Sequence, residues 1–319
     1  MLQFRVRTLC CQGVRVKALL KKKGIVMDIS HLLEALESRQ LVSASTPVID
    51  VSPTSVIVTG SEGPDHIEVE SVDTGSGMLT VVQVNGVKVQ TASNLKLILV
   101  DGMGGDDVIK YDGIHLNTVP SIALMGSDGA DQISIREVAR TDSSEFQWTT
   151  ISGGNGEDRI EIFSTRYANV YGNNGNDHLV SLSGAGNAWH NLQGDDGDDY
   201  LINRSNRGAN LSGGAGNDVL DDRADDEGSF FDGGSGQNVM IGGPGSDTAY
   251  IKDVATNYFF AGGGNDWVSI HRYVPAGILH YNGESGQDSL ERRDDLWNFQ
   301  WNLVSVESVY QYGDFYGIG

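Results

Sequence analysis

Short runs in which apolar and polar residues alternate recur along most of the chain. Arg159–Phe163 and Ala168–Tyr171 are two examples, each with apolar residues two positions apart. That period is typical of a strand with one buried face. Clusters of glycine and aspartate separate the runs, and these residues favour tight turns. The pattern predicts an all-β protein built from short strands.

One pattern, Gly-Gly-x-Gly-x-Asp-x-apolar, recurs between the strand candidates. Its clearest copies are Gly153–Ile160 and Gly213–Leu220. Other copies begin at Gly172, Gly194, Gly233, Gly242, Gly262 (which lacks the first glycine) and Gly283, and weaker ones at Gly60, Gly102 and Gly126. The sixth position is Asp in ten of the eleven copies and Asn238 in the other. Chance does not place an aspartate at this register so often, so the turn selects it.

The spacing of the copies predicts how the chain is arranged. Successive sixth positions lie 19–27 residues apart from Asp107 to Asn238, which is the length of one coil of a solenoid. Each coil then contains a strand, a turn, a second strand and a glycine turn, and neighbouring coils pair in parallel. The step from Asn238 to Asp247 is only nine residues, or half a coil. We therefore expect two columns of turns on different edges, the first spanning Asp131 to Asp218 and the second spanning Asp247 to Asp288.

The repeats divide the chain into four parts. Residues 1–45 are predicted to be a leader outside the fold, and residues 46–100 a β segment with a hairpin at Asn85-Gly86, a strong two-residue turn signal. Residues 101–290 contain the firm repeats. Residues 291–319 lose the repeat and are rich in aromatic residues, so we expect them to cap the open end of the array.

The leader contains two competing signals. Ser30 is a candidate cap for a short amphipathic helix over residues 31–40. The run Leu36–Ala44 resembles the Leu-Glu-Pro-Arg-x-Leu-Leu-Ser-Ala motif near the start of many bacterial exported surface proteins, with Ser38 and Val42 departing from it. Export by this leader or by a C-terminal signal, and a start at Met1 or Met27, stay open.

Charge restricts the classes of partner. The net charge is −21, and because three of the 43 acidic and eight of the 22 basic residues precede residue 46, the remainder carries −26. Such a surface repels nucleic acid, while a bound divalent cation would neutralise part of it. Both cysteines lie in the leader, at Cys10 and Cys11, so the repeats contain neither disulfides nor thiolate metal sites. No apolar run is long enough to span a membrane.

The turn residues are suited to Ca²⁺. This ion takes six to eight oxygens from carboxylates and backbone carbonyls, and glycines allow several carbonyls of one turn to converge. Mg²⁺ is less suited because it keeps its waters, and Zn²⁺ prefers His or Cys ligands, for which the chain shows no suitable spacing. Turns of a β-solenoid without any ion are the alternative interpretation.

These residues resemble the hemolysin-type, or RTX, calcium-binding nonapeptide family, firmly over residues 101–290 and weakly over residues 60–100. The resemblance implies a right-handed parallel β-roll with Ca²⁺ between same-side turns. The Asp ligands that it implies are Asp107, Asp131, Asp158, Asp177, Asp199, Asp218, Asp247, Asp266 and Asp288. The glycines that it implies, through their carbonyls, are Gly154, Gly156, Gly175, Gly197, Gly214, Gly216, Gly234, Gly236, Gly243, Gly245, Gly264 and Gly286. Most coils have one degraded turn, as at Ala188, so we expect roughly five to eight ions.

Two other features have competing interpretations. The acidic cluster at Asp221, Asp222 and 225–227 is either a solvated loop or an extra ion site. Trp148, Trp189 and Trp267 are expected to pack in the core or at an edge rather than to form a platform for sugars.

The sequence predicts a secreted or cell-surface Ca²⁺-binding β-solenoid with a structural or adhesive role, which folds on binding Ca²⁺. Cell-surface polysaccharide and other matrix components are the candidate partners. No catalytic residues are assigned, because no hydrolase, metalloprotease or phosphate-loop motif is present and basic residues are scattered. An accessory module of a secreted exoenzyme or adhesin, or a β-helix polysaccharide lyase, is the alternative.

Overall fold

A computed structural model describes residues 20–22, 25–27, 46–74, 77–92, 95–116, 120–139, 149–163, 165, 167–182, 189–205, 207–224, 227–252, 255–271, 276–293 and 298–312. The chain divides into two units, residues 1–43 and 44–319. In the first unit, β1 (Leu20–Lys22) and β2 (Ile25–Met27) pair antiparallel. The predicted helix over residues 31–40 and the export motif lie outside the described residues.

Every regular element described in the second unit is a strand, as the alternating pattern predicts. The first of these strands are β3 (Val48–Val51), β4 (Ser55–Thr59), β5 (His66–Asp73), β6 (Met78–Val84), β7 (Val87–Ala92), β8 (Leu97–Asp101), β9 (Val108–Leu116), β10 (Ser121–Asp128), β11 (Gln132–Ala139), β12 (Thr149–Asn155), β13 (Arg159–Phe163), β14 (Tyr167–Asn174) and β15 (His178–Ser181). The strands that follow are β16 (Trp189–Asp196), β17 (Tyr200–Asn203), β18 (Asn210–Ala215), β19 (Val219–Asp221), β20 (Phe230–Ile241), β21 (Thr248–Ile251), β22 (Ala255–Phe260), β23 (Gly263–Gly264), β24 (Trp267–Ile270), β25 (Ala276–Asn282), β26 (Ser285–Gly286), β27 (Ser289–Arg293), β28 (Asn298–Val304) and β29 (Ser308–Tyr312). Within the described part of the chain, no helix has the length and apolarity needed to cross a bilayer.

The coils form two parallel sheets. The first sheet stacks β4, β8, β10, β12, β14, β16, β18, β20, β21, β24, β27 and β29 in that order. The second sheet stacks β5, β9, β11, β13, β15, β17, β19, β20, β22, β25 and β28. The long strand β20 belongs to both, because Phe230–Ser235 pairs in the first sheet and Gly236–Ile241 in the second. This is the β-solenoid that the repeat spacing predicts.

The core lies between the sheets and consists of apolar ladders. In the first sheet, Leu124, Ile151, Val170, Leu192 and Leu211 occupy the same register in successive coils. In the second sheet, Ile133, Ile160, Leu179, Leu201 and Leu220 do the same. All are at most 1% exposed and belong to one cluster. Because side chains alternate between faces, every second residue enters this core and its neighbours face solvent.

The two ends of the repeat array join the same stack. At the N-terminal end, β6 and β7 form the predicted hairpin around Asn85-Gly86, and both turn residues have positive φ. The weak first copy of the repeat lies between β4 and β5, which pair with the next coil. At the C-terminal end, β28 and β29 extend both sheets, and Trp301 packs against the core. The tail predicted to be a cap thus extends the solenoid through residue 312.

Candidate functional site

The sixth-position aspartates form a hydrogen-bonded column along one edge. The backbone amide of each donates to Oδ1 of the equivalent residue in the next coil. These bonds are 2.7–3.0 Å long and link Asp65, Asp107, Asp131, Asp158, Asp177, Asp199, Asp218 and Asn238 in order. The aspartates from Asp107 to Asp218 are at most 2% exposed. The repeated aspartates therefore form a buried ladder of hydrogen bonds that joins successive coils.

A second column occupies the other edge, as the nine-residue step predicts. The amide of Ser229 donates to Asp247 Oδ1, and the ladder continues through Asp266 and Asp288 to a carboxylate oxygen of Glu307. Asp247 precedes a strand of the first sheet, whereas Asp218 precedes a strand of the second. The predicted change of edge is confirmed. The first column is longer than predicted, because it begins at Asp65 and Asn238 Nδ2 lies 3.4 Å from Asn257 Oδ1.

The first glycine of each turn makes room for the aspartate of the same turn. A Cβ on Gly153 would overlap Oδ2 of Asp158, and a Cβ on Gly172 or Gly194 would overlap the corresponding carboxylate. The side chain of the sixth residue therefore folds back into its own turn. The turn of Asp266 has Ala261 at this position and keeps its carboxylate buried, so that turn accommodates a methyl group.

The other two glycines serve backbone geometry and coil stacking. The second position requires the left-handed region, with φ of 129° at Gly154 and 120° at Gly214. The fourth position lies so close to the preceding coil that a Cβ on Gly175 would overlap the carbonyl oxygen of Gly156. The amide of each of these glycines also donates to the next coil, as in the 2.8 Å bond from Gly156 N to Asn174 O. Carbonyl oxygens thus point along the axis beside the carboxylate column.

One carboxylate oxygen in most turns has no hydrogen-bond partner. The buried, unpartnered Oδ2 atoms are those of Asp107, Asp131, Asp158, Asp177, Asp199, Asp218, Asp266 and Asp288. Burial without a partner disfavours the charged form. A proton or a cation is needed to stabilise each of these oxygens.

The raised pKa values of the column aspartates also indicate that the column needs protons or cations. Burial, reinforced by neighbouring carboxylates and opposed by the amide hydrogen bond, raises the pKa to about 7 at Asp107, Asp177, Asp218 and Asp266. The pKa of Asp158 rises to about 6 for the same reasons. Two charges one coil apart, about 4.8 Å, repel by about 3 kcal/mol at an effective dielectric constant of 20. Several such repulsions approach the whole stability of a domain, about 5–15 kcal/mol, so a fully ionised column requires counter-ions.

The exceptions show what satisfies this oxygen. Asp65 Oδ2 accepts hydrogen bonds from the amide and hydroxyl of Ser61, and Asp247 Oδ2 accepts the amide of Gly243 at 3.0 Å. At Asn238 an amide replaces the carboxylate, and its Nδ2 donates to Gly234 O at 3.2 Å. A hydrogen-bond donor at this position therefore substitutes for a proton or cation.

The donor set suits an oxygen-seeking ion. In most turns the unpartnered carboxylate oxygen lies near a carbonyl oxygen of the next coil; around Gly126, for example, Asp131 Oδ2 and Gly153 O lie close to the same point. The described residues contain no group of three or more His, Cys, Asp or Glu side chains placed to hold a metal. Any ion between these turns would therefore draw most of its ligands from the backbone, as Ca²⁺ accepts.

In the described part of the acidic cluster, Asp221 and Asp222 are buried and paired rather than solvated, whereas Glu227 is exposed and pairs with Arg207. Asp221 is fully buried and accepts Arg204 and Arg223 at 2.9 and 2.7 Å, so its pKa is lowered by these guanidinium groups although burial opposes them. Asp222 accepts Asn203 and the Ser229 hydroxyl. Arg223 is only two residues from Asp221, whereas Arg204 and Asn203 come from the preceding coil, which sequence spacing could not show. Residues 225 and 226 lie outside the described residues.

The prediction for the tryptophans is partly wrong. Trp267 is 47% exposed on the outer face of the first sheet, and Trp189 is half-buried on the same face. Trp148 lies outside the described residues.

Comparisons with family models, curated proteins and solved structures yield no match for this chain.

Proposed function

We propose that this protein is a secreted or cell-surface β-solenoid that binds several Ca²⁺ ions between its stacked turns and serves a structural or adhesive role. One observation carries the proposal. Eight buried carboxylate oxygens lack a hydrogen-bond partner at the register where the Gly-Asp repeat places them. The resemblance to the hemolysin-type repeat family supports the choice of ion.

The residues that would hold the ions are the column aspartates and the turn glycines. Oδ1 is already used as an acceptor between coils, so Oδ2 is the oxygen that remains for a cation. Backbone carbonyls of adjacent turns supply neutral oxygens, which keeps the charge of each site low. Ca²⁺ tolerates such mixed, irregular oxygen sets better than Mg²⁺ does.

The columns limit the number of ions. Six unpartnered carboxylates in a row, from Asp107 to Asp218, define five gaps between coils. The second column adds gaps between Asp247, Asp266 and Asp288. The structure is thus compatible with the roughly five to eight ions expected from the repeats.

The ions would stabilise the folded state at neutral pH. A body with a net charge of −26 and a thin core repels itself, and binding that is confined to the folded chain adds to its stability. Extracellular modules commonly bind Ca²⁺ with millimolar or tighter affinity. A scaffold of this kind would be rigid where Ca²⁺ is plentiful and expanded where it is scarce.

Circular dichroism of the full chain tests the proposal. Titration with Ca²⁺ at pH 7.5 is expected to increase the β signal and raise the melting temperature, while Mg²⁺ at the same ionic strength has a much smaller effect. A full β spectrum in excess EDTA, with a melting temperature that Ca²⁺ does not change, would overturn it.

A further inference from the structure

The outer face of the first sheet has a stripe of exposed aromatic rings, which we call the aromatic stripe. Its members are Trp189, Phe230, Tyr250 and Trp267. Phe230 is 40%, Tyr250 38% and Trp267 47% exposed, and Trp189 is half-buried. Large apolar side chains grouped on a soluble surface commonly mark a binding site.

Three of the four rings are in contact across the coils. The centroids of Trp189 and Phe230 lie 6.4 Å apart, and those of Phe230 and Tyr250 lie 6.3 Å apart with nearly parallel planes. The stripe runs from β16 through β18, β20 and β21 to β24. At about 4.8 Å per coil, these four steps span roughly 19 Å. Because the rings occupy three neighbouring outward rows, the surface is a band across the face of the sheet rather than a pocket.

Amide groups extend the stripe toward the N-terminal end. Asn210 Nδ2 donates to Asn191 Oδ1 at 2.6 Å, and Asn191 Nδ2 donates to Asn169 Oδ1 at 2.7 Å. Phe230 follows these asparagines in the same outward row, directly beside Asn210. Amides both donate and accept hydrogen bonds. The row of Phe230 and Trp267 thus combines apolar rings with neutral amides. Trp189 and Tyr250 lie in the outward rows on either side, and Lys252 and Asp232 flank the Tyr250 ring.

We infer that the aromatic stripe binds an extended, uncharged β-linked polysaccharide. Such a chain presents flat sugar faces for the rings and hydroxyl groups for the amides, and it repeats along a straight line as the coils do. The net charge of −26 after residue 45 opposes nucleic acids and acidic polysaccharides. The inference deepens the adhesive role proposed above and rests on it, but it requires only that the coils be folded.

The outer face of the second sheet provides matched controls. Phe260 is 40% exposed and Tyr200 37%, nearly the same as Phe230 and Tyr250. Neither ring belongs to the aromatic stripe: Tyr200 stacks on His178, and Phe260 lies in a different outward row of the second sheet, after Asp221 and Ile241. Loss of an exposed ring in general is therefore separable from loss of the stripe.

The experiment measures binding of cellohexaose and chitohexaose to the full chain in saturating Ca²⁺ by calorimetry, with oligogalacturonate as the charged comparison. We expect binding of at least one neutral oligosaccharide and none of oligogalacturonate. The double variant Phe230→Ser/Tyr250→Ser is expected to weaken binding about tenfold or more, because it removes two of the four rings that would contact the sugar faces. The control Phe260→Ser/Tyr200→Ser is expected to leave it unchanged.

Three results would overturn the inference: no binding of either neutral oligosaccharide, preferential binding of the charged one, or equal losses in the two double variants. Calcium stoichiometry and melting temperature are measured on the same samples. Normal Ca²⁺ binding without sugar binding rejects the stripe alone. Sugar binding that the stripe variant abolishes, in a chain that binds no Ca²⁺, rejects the calcium proposal and retains the stripe.

Discussion

Substituting Asp218 separates the structural role of the column aspartates from their proposed role as ligands. Asp218 Oδ1 accepts the amide of Asp199 at 3.0 Å, while Oδ2 is buried and unpartnered. Asp218→Asn keeps the acceptor and places an NH₂ group where the unpartnered oxygen was. The next coil shows this arrangement, because Asn238 accepts the amide of Asp218 at 2.9 Å and donates to Gly234 O.

Because Oδ1 and Oδ2 of Asp218 have different roles, Asp218→Asn is expected to have opposite effects on stability without Ca²⁺ and in saturating Ca²⁺. Without Ca²⁺ at pH 7.5, Asp218→Asn is expected to stabilise the fold by about 1–2 kcal/mol, the usual cost of a buried polar atom without a partner. In saturating Ca²⁺ the same variant is expected to lose about one bound ion and part of the stabilisation by Ca²⁺. Asp218→Ala is expected to be destabilised in both conditions by about 1–3 kcal/mol, because the amide of Asp199 loses its acceptor.

Urea unfolding with and without Ca²⁺, together with ion stoichiometry, measures these effects. Asp196→Asn is the matched control, since Asp196 is an exposed carboxylate of the neighbouring turn and is expected to change neither quantity much. Destabilisation by Asp218→Asn in EDTA, or an unchanged number of bound ions, would refute the assignment of Oδ2 as the free oxygen.

Three further predictions follow from the turns. Gly175→Ala is expected to destabilise the fold by about 3 kcal/mol or more, because its Cβ would overlap the preceding coil and φ is 131°. The control is Gly63→Ala, which lies at the same register of the first coil and has open space around it. It is expected to be nearly neutral in the same urea assay. Asp195→Gly is expected to stabilise by about 1 kcal/mol, since Asp195 has φ of 72°, and Asp195→Ala, which retains the Cβ, is expected to gain less. Without Ca²⁺, stability is expected to be highest near pH 4–5 and to fall as the pH rises to about 7. The folded-state pKa of Asp177, raised to about 7 by burial, exceeds the unfolded value of about 3.9, so the folded state binds more protons in this window. A melting temperature in EDTA that rises with pH over this range would contradict this account.

The architecture was accessible from the sequence because its signals are local and repeated. The period near 20 residues predicts coils, and the nine-residue step from Asn238 to Asp247 predicts the change of edge. Asn85-Gly86 predicts its hairpin. Each of these signals depends on turn geometry within a few residues, which the amino-acid types specify directly.

The arrangement between coils was not accessible, because it joins residues that are about 20 positions apart. The sequence shows that glycines recur in the turn but not that the fourth position faces a carbonyl of the preceding coil. It also shows the aspartate but not that one oxygen is occupied and the other is free. The pairing of Asp221 with Arg204, 17 positions earlier, has no local signature either.

The number of Ca²⁺ ions bound per chain tests the central claim most directly. Isothermal titration calorimetry of the full chain at pH 7.5, after removal of metal with EDTA and dialysis, counts the ions and measures their affinity in one experiment. The account predicts roughly five to eight ions, with at least five contributed by the column from Asp107 to Asp218. A stoichiometry below two, or no heat of binding at millimolar Ca²⁺, would contradict it and leave the buried carboxylates to be neutralised by protons alone.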